Sequence, residues 1–332
     1  MAIFRCGKCG HLREVSNDYR GKSVKCPRCK TPNLIHGTVA FVAKVIEQFI
    51  AQKNELQQLR SQLAPQDASV LAKNDPPQPL SDIDIYNTAE LKSEQQYEPI
   101  LKFFQERQVQ IDVNQQALDT TGFFDEVAVQ LGDQYETLRL VSDKIKYIQQ
   151  KGYTSVKITL NKKSQKDIQT ITRFCKDLYE YSFVAKYFYQ KQEKIIRLTL
   201  QTSPKIVHFF NGEWMEWFVF MKLLDFFREK QVPVACLRNL SIIFPNEDRH
   251  ELDVFFLINN TTPLCIECKT GEFRQDIEKY SVLRKRLKLN ETQFLMCVMG
   301  LSEKQTQGMS SMYDVTFVNE NNFLQQIENI ST

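Results

Sequence analysis

Nothing in this 332-residue sequence is apolar for long enough to cross a bilayer, which takes roughly 20 consecutive apolar residues, and that excludes a helical membrane span. No leader-type segment precedes the first cysteine, and the cysteines number nine. An odd count in a chain of this size speaks against the disulfide framework of a small secreted domain. The expectation is a soluble, cytoplasmic protein with reduced thiols. Net charge is scarce too, only +3, but it is unevenly placed: residues 1–39 hold eight Lys and Arg against Glu14 and Asp18, which leaves the remainder about three charges negative. The N-terminus is the basic end. Apolar residues make up 42% and aromatics 11%, enough for more than one core, and the length predicts roughly two or three domains.

Composition divides the chain. Residues 40–63 repeat Val42, Val45, Phe49, Leu56, Leu59 and Leu63, with Gln52 in the missing place. This 3.5-residue period fits a short coiled coil or a single amphipathic helix packed on its own domain. Residues 64–99 combine five prolines with seven acidic residues against Lys73 and Lys92, the composition of an extended acidic linker. From about 100 to 204 the pattern predicts a domain of mixed α and β character. A helix over 123–150 is weakened at Gly132, a strand follows at 155–160, Ser164 caps a helix bearing Ile168, Ile171, Phe174, Cys175 and Leu178, and two strands occupy 182–189 and 194–200. Its aromatic run, Tyr179 to Tyr189, serves either to stack on bases or to fill a core.

Residues 1–38 carry Cys6-x2-Cys9 and Cys26-x2-Cys29, sixteen residues apart. Two such knuckles set four thiolates tetrahedrally around one Zn²⁺, and a segment this short needs the metal in order to fold. Four thiolates leave no open coordination position, so the zinc is structural rather than catalytic. The stretch FRCGKCG…GKSVKCPRC resembles bacterial zinc-ribbon modules. Such modules often bind nucleic acid, which suits the basic loop; contact with protein is the other reading.

At the other end of the chain, LCIECKTG (264–271) sets Glu267 and Lys269 into an apolar run. A buried strand is a costly place for charge. Read as a strand, it presents both side chains on one face. HELDVFFLI (250–258) reads as the preceding strand, with Glu251 and Asp253 together, and thirteen residues separate Asp253 from Glu267, room for a hairpin through 259–263. Asp253 and Glu267 are thereby expected side by side. Two close carboxylates need a cation, and hard oxygen ligands select Mg²⁺ or Mn²⁺. Lys269 beside them supplies a positive charge for an attacking water and for a developing phosphorus-centred charge.

The Asp253-x13-Glu267-x-Lys269 arrangement resembles the PD-(D/E)xK phosphodiesterases of the restriction-endonuclease-like superfamily. That family's order is helix, three-stranded meander, helix, strand, and here 213–230, 234–244, 251–258, 263–269, 274–289 and 293–300 follow it. The expected architecture is α/β: an αβββαβ nuclease core over 205–332, a mixed α+β domain over 100–204, and an N-terminal four-cysteine zinc ribbon followed by a coiled-coil-like helix. GEWMEW, HELD and IECKTG are similar to motifs in the nuclease domain of CRISPR-ancillary enzymes that carry a cyclic-oligonucleotide sensor, with His250 where that pattern has Asn. The resemblance adds Glu216 as a further acidic residue of the site. It covers about 205–330, and residues 1–200 show neither that sensor nor its glycine-rich loops. On the helix after the third strand, Arg274, Lys279, Arg284, Lys285, Arg286 and Lys288 either line a substrate backbone or face solvent, and Tyr280 or Arg284 is placed to reach the site.

The sequence therefore predicts a metal-dependent endonuclease acting on nucleic acid, DNA ahead of RNA, in defence or DNA processing. Glu216, Asp253, Glu267 and Lys269 are its catalytic residues, Asp253 and Glu267 hold Mg²⁺ or Mn²⁺, and Cys6, Cys9, Cys26 and Cys29 hold structural zinc. A homodimer through 40–63 or the nuclease domain is expected, with no membrane partner. The competing readings are a catalytically silent nucleic-acid-binding scaffold and a nuclease gated by a ligand at the middle domain.

Overall fold

The computed structural model describes residues 2–39, 41–43, 46, 94–118 and 123–331. The heptad-patterned stretch 40–63 and the acidic residues 64–93 lie almost wholly outside them. The chain divides into two compact units, Met1–Asn74 and Asp75–Thr332.

In the first unit, β1 (Ala2–Arg5) pairs with β2 (Leu12–Val15) and later with β5 (His36–Gly37), while β3 (Ser23–Lys25) and β4 (Pro32–Leu34) form a separate hairpin. Among its described residues, the buried core comprises Ala2, Phe4, Cys6, Cys26 and Ile35. So small an apolar core stabilises little by itself; the cysteines are the remaining source of order.

The second unit centres on a six-stranded sheet, ordered β14-β13-β12-β11-β10-β6. Its strands are β6 (Gln110–Val113), β10 (Val234–Ile243), β11 (Arg249–Ile258), β12 (Thr262–Lys269), β13 (Phe294–Val298) and β14 (Thr316–Val318). Neighbours are antiparallel from β6 to β12 and parallel from β12 to β14. The apolar run at the end of β11 shows why both sheet faces are covered, since alternate side chains point to opposite sides. Phe255 meets Phe103 and Phe104 of the helix Glu94–Gln105, at 5.6 and 5.0 Å between ring centres. Its neighbour Phe256 meets Phe220 and Phe227 of the helix Trp214–Glu229, at 5.7 and 5.5 Å. That second helix is apolar nearly all round and is buried accordingly. With the helix Ile277–Arg286 between β12 and β13, the element order is the αβββαβ read from the sequence.

One expectation fails here. Residues 94–99 belong to a helix, with Pro99 inside it, rather than to an extended linker. Tyr97, Ile100, Phe103 and Phe104 are all buried, and that burial outweighs the hydrogen bond that a single proline removes. The strand β6 was not legible in the sequence either.

Residues 123–200 form the predicted mixed α and β array. The 123–150 helix is two helices, Phe124–Asp133 and Tyr135–Gln150, broken at Gln134. A sheet of order β7-β9-β8, from Ser155–Thr159 (β7), Val184–Gln190 (β8) and Ile195–Leu200 (β9), follows. Ser164 caps the helix Gln165–Glu180 in a reciprocal capping box with Asp167, as its sequence indicates. Gly132 is required where the first helix crosses Trp214–Glu229, because a Cβ there would lie 2.2 Å from the Phe218 ring. These elements share one hydrophobic core with the six-stranded sheet.

Candidate active site

The hairpin between β11 and β12 turns at Asn259 and Asn260, whose φ values of 51° and 58° are left-handed conformations that asparagine tolerates. Its register sets Val254 opposite Ile266, and one step further Asp253 faces Glu267. The two carboxylates therefore meet as the spacing predicts. Lys269 lies between them, its Nζ 3.6 Å from Asp253 Oδ2 and 3.5 Å from Glu267 Oε2. Asp253 Oδ2 also accepts a 2.7 Å bond from the Cys268 backbone N–H, which fixes its rotamer. Tyr280, from the Ile277–Arg286 helix, places its ring 5.1 Å from Lys269 Nζ.

Electrostatics follow from this crowding. Glu267 is 1% exposed and its Oε1 has no hydrogen-bond partner. Burial and then the Asp253 charge push its carboxyl up to about 8, against the pull of Lys269. Burial acts to lower the Lys269 ammonium, but Asp253 and Glu267 outweigh it and hold it above the ordinary lysine range. Burial, then Glu267, raises the Tyr280 phenol.

Glu216 enters from the first turn of the Trp214–Glu229 helix and lines the same cleft, of about 540 Å³, together with Lys146, Glu251, Asp253 and Lys269. Its partner was not legible from the sequence. Arg238 of β10, 2% exposed, donates to Glu216 Oε2 at 3.0 Å, to Glu213 Oε1 at 3.1 Å and to the Ala117 carbonyl at 2.9 Å, and its guanidinium lies 4.0 Å from the centre of the Trp217 ring. Each edge of the guanidinium is thereby used. Burial and the nearby Asp253 raise the Glu216 carboxyl well above its usual range, with Arg238 opposing. Leading into this helix, residues Phe209–Glu213 form a π-helical turn in which Gly212 has φ 151°, and a Cβ on Gly212 would stand 3.3 Å from Thr270 Oγ1. The glycine of GEWMEW thus permits close approach to the strand end that carries Lys269. Opposite Asp253 in the β10–β11 register, Asn239 takes φ 51° in mid-strand and lines the cleft; such left-handed residues cluster at functional sites.

Not every expected residue arrives. Arg284 does not reach the cleft; it donates to the Leu289 carbonyl at 2.7 Å and lies 3.9 Å from Asp314. Arg286 pairs with Asp248, and Arg274 with Glu272. Much of this helix's charge is spent on intramolecular acids. Cys265 and Cys268 are both buried in β12.

The donor set fits a hard divalent cation. Asp253 and Glu267 offer carboxylate oxygens, and the unpartnered Glu267 Oε1 is an acceptor without a proton donor. Among the described residues, only the N-terminal cysteines bring three or more ligand atoms within 4.8 Å of one another: Cys6, Cys9, Cys26 and Cys29. There Cys6 Sγ lies 3.3 Å from Cys29 Sγ, and Cys9 Sγ 3.6 Å from Cys26 Sγ, near the roughly 3.8 Å edge of a tetrahedron with Zn–S bonds of about 2.3 Å. The two knuckles repeat one geometry, with Gly10 N–H bonded to the Cys6 carbonyl and Lys30 N–H to the Cys26 carbonyl, and φ 71° and 60° at those residues. The Thr31 hydroxyl and backbone beside Cys29 hold its thiol down at about 6, whereas the Cys9 thiol goes up to about 12, the lowering by the His11 backbone being outweighed by burial and the adjacent thiols.

Residues 204–304 match the family model of the Card1-like endonuclease domain. The C-terminal domain is thus restriction-endonuclease-like and related to that family, as its motifs indicate. Among solved structures, the chain is similar to protein VC1899 from Vibrio cholerae, at 16% identity over 70% of this chain and 60% of that one, with a TM-score of 0.48. It is also similar to Can2 from Sulfobacillus thermosulfidooxidans, solved with cyclic tetra-adenylate, at 16% identity over 69% of this chain and 59% of that one, with a TM-score of 0.47. The chain spans about 60% of the length of these proteins. No curated protein matches it.

Proposed function

We propose that the protein is a divalent-metal-dependent nuclease that hydrolyses phosphodiester bonds, with DNA favoured over RNA. One observation carries this reading: Asp253 and Lys269 line one cleft, and Lys269 links Asp253 to Glu267, buried just beneath it, in the domain that matches an endonuclease family. Asp253 and Glu267 are the residues that would hold Mg²⁺ or Mn²⁺, which when bound lowers the pKa of water and neutralises phosphate charge. The protein's own groups do the rest. The Cys268 N–H holds Asp253 in place, Lys269 presents a fixed positive charge to the phosphate and the incoming water, and the Tyr280 ring closes the wall behind it. Glu216, held by Arg238, supplies a further acceptor facing the cleft.

The N-terminal cysteines suit structural Zn²⁺ and a basic ribbon that contacts nucleic acid. The motifs shared with CRISPR-ancillary nucleases suggest a role in defence; this rests on the resemblance.

The test is calorimetric titration of Mn²⁺ into the full chain and its Asp253→Asn variant, alongside cleavage of supercoiled plasmid, linear duplex, single-stranded DNA and RNA. The expected result is a Mn²⁺ site lost in the variant together with all cleavage. Cleavage retained by Asp253→Asn contradicts the assignment. Equal Mn²⁺ binding by both proteins, with no cleavage by either, favours the silent scaffold.

A further inference from the structure

The sheet β7-β9-β8 carries a surface that the nuclease reading does not use. Its inner face is apolar and closed: Val156, Ile158, Ile196 and Leu198 are each at most 2% exposed. The outer face is different. Lys157 of β7 lies opposite Arg197 of β9, and Arg197 lies opposite Phe188 of β8, so one row across the sheet reads Lys, Arg, Phe. Lys186 stands opposite Thr199 in the next row. All three basic residues are exposed, and Phe188 is 61% exposed.

Each feature is unfavourable for the isolated fold. Like charges directly across strands repel, and among the described residues no acidic group lies within 4 Å of Lys157, Lys186 or Arg197 to offset this. Among the described residues, the guanidinium of Arg197 donates to one polar group, Gln190 Oε1, at 2.9 Å. A phenylalanine turned outward between Tyr187 and Tyr189, both of which are partly covered, leaves its ring in water. Part of the aromatic run is accounted for by packing: Phe183 is buried and Tyr181 stacks on Phe123 at 4.5 Å. Two rings of that run stay exposed, Tyr179 at 49% on the helix Gln165–Glu180 and Phe188 at 61%, and of these Phe188 is the one that stands on the sheet's outer face beside the basic residues.

A polyanion with free aromatic faces satisfies both features together. Phosphates pair with cations that have no acidic partner, and a base stacks on the open ring, an interaction that tolerates any sequence. A duplex hides its base faces from such a ring. We infer that the outer face of β7-β9-β8 binds an unpaired nucleic-acid strand, with Phe188 as the stacking platform and Lys157, Lys186 and Arg197 along its backbone. This inference concerns binding and stands whether or not the cleft cuts.

The test uses the zinc-loaded full chain with no added Mg²⁺ or Mn²⁺, so that metal-dependent cleavage plays no part, with a thiothymidine-substituted, fluorescent oligothymidylate as probe. Ultraviolet crosslinking followed by peptide mapping is expected to mark the 182–200 segment. Phe188→Ala should weaken binding about tenfold. The double variant Lys157→Glu/Arg197→Glu should weaken it as well and flatten its salt dependence. Both substitutions sit on exposed positions, and circular dichroism checks that the fold is kept. Unchanged affinity and salt dependence in both variants overturns the inference, as do crosslinks confined to the cysteine unit or the cleft. A change in self-association by Phe188→Ala, with binding unaltered, also overturns it and makes the face a contact between copies of the chain.

Discussion

At the scale of single residues, the buried charges dominate the account. Arg238 donates from each of its three guanidinium nitrogens, to two glutamates and a carbonyl, so Arg238→Met leaves all three without their donor. Removing one member of a buried ion pair costs about 3–5 kcal/mol; chemical denaturation should show a loss of that order, partly restored by adding Glu213→Gln and Glu216→Gln. Glu267 makes a pH prediction. The folded, metal-free protein keeps that carboxyl protonated up to about 8, whereas the unfolded chain releases the proton near 4.5. The folded state therefore binds more protons between those values, and stability falls as pH rises through that window. Glu216, shifted the same way, adds to the slope. Thermal melts of the metal-free protein should decline from about pH 5 to about pH 8, and Glu267→Gln should flatten the decline; an identical profile in the variant contradicts the assignment. Because a cation competes with that proton, apparent Mn²⁺ affinity should rise over the same range.

At the scale of elements, helix crossings and strand register decide where these residues meet. Gly132 lets the Phe124–Asp133 helix approach Trp214–Glu229, with Phe218 in the contact. In an exposed helix Gly→Ala gains up to about 1 kcal/mol. Here the added Cβ meets a ring that is 2% exposed, and the expected sign is reversed, a loss of about 1–3 kcal/mol from overpacking, read as a lower melting temperature. The register of β11 and β12 was legible in the sequence because alternation fixes faces and thirteen intervening residues fix the hairpin. Asp253, Glu267 and Lys269 were expected together on that ground, and the structure sets Lys269 within 3.6 Å of Asp253 and 3.5 Å of Glu267. Arg238 was not legible: an arginine within VACLRNLSIIF looks like an edge-strand charge, and only its long-range partners at Ala117, Glu213 and Glu216 reveal burial. The helix Glu94–Gln105 was misread for the opposite reason, because local composition with Pro99 spoke for a linker while tertiary packing on Phe255 decided the outcome. Arg284 was expected at the site from its helix position, but the nearby Leu289 carbonyl claims it.

At the scale of the whole molecule, metal dependence is expected to be of two kinds. Among the described residues, the N-terminal unit has a small buried core and is expected to rely on its four thiolates, whereas the second unit has a continuous core that is expected to fold without metal. A thiol-competent chelator should therefore unfold the first unit and leave the second folded, measured as loss of hydrogen-exchange protection confined to residues 2–37. Cys26→Ser should do the same. Weakly chelated buffers that spare zinc should remove only activity. The most direct measurement of the central claim is cleavage of one labelled nucleic acid by the wild-type chain and by Glu267→Ala, each in Mn²⁺ and in EDTA. The account predicts cleavage by wild type in Mn²⁺ alone, reduced about 100-fold or more in Glu267→Ala, with circular dichroism unchanged. Cleavage that persists in EDTA, or that Glu267→Ala leaves intact, contradicts it.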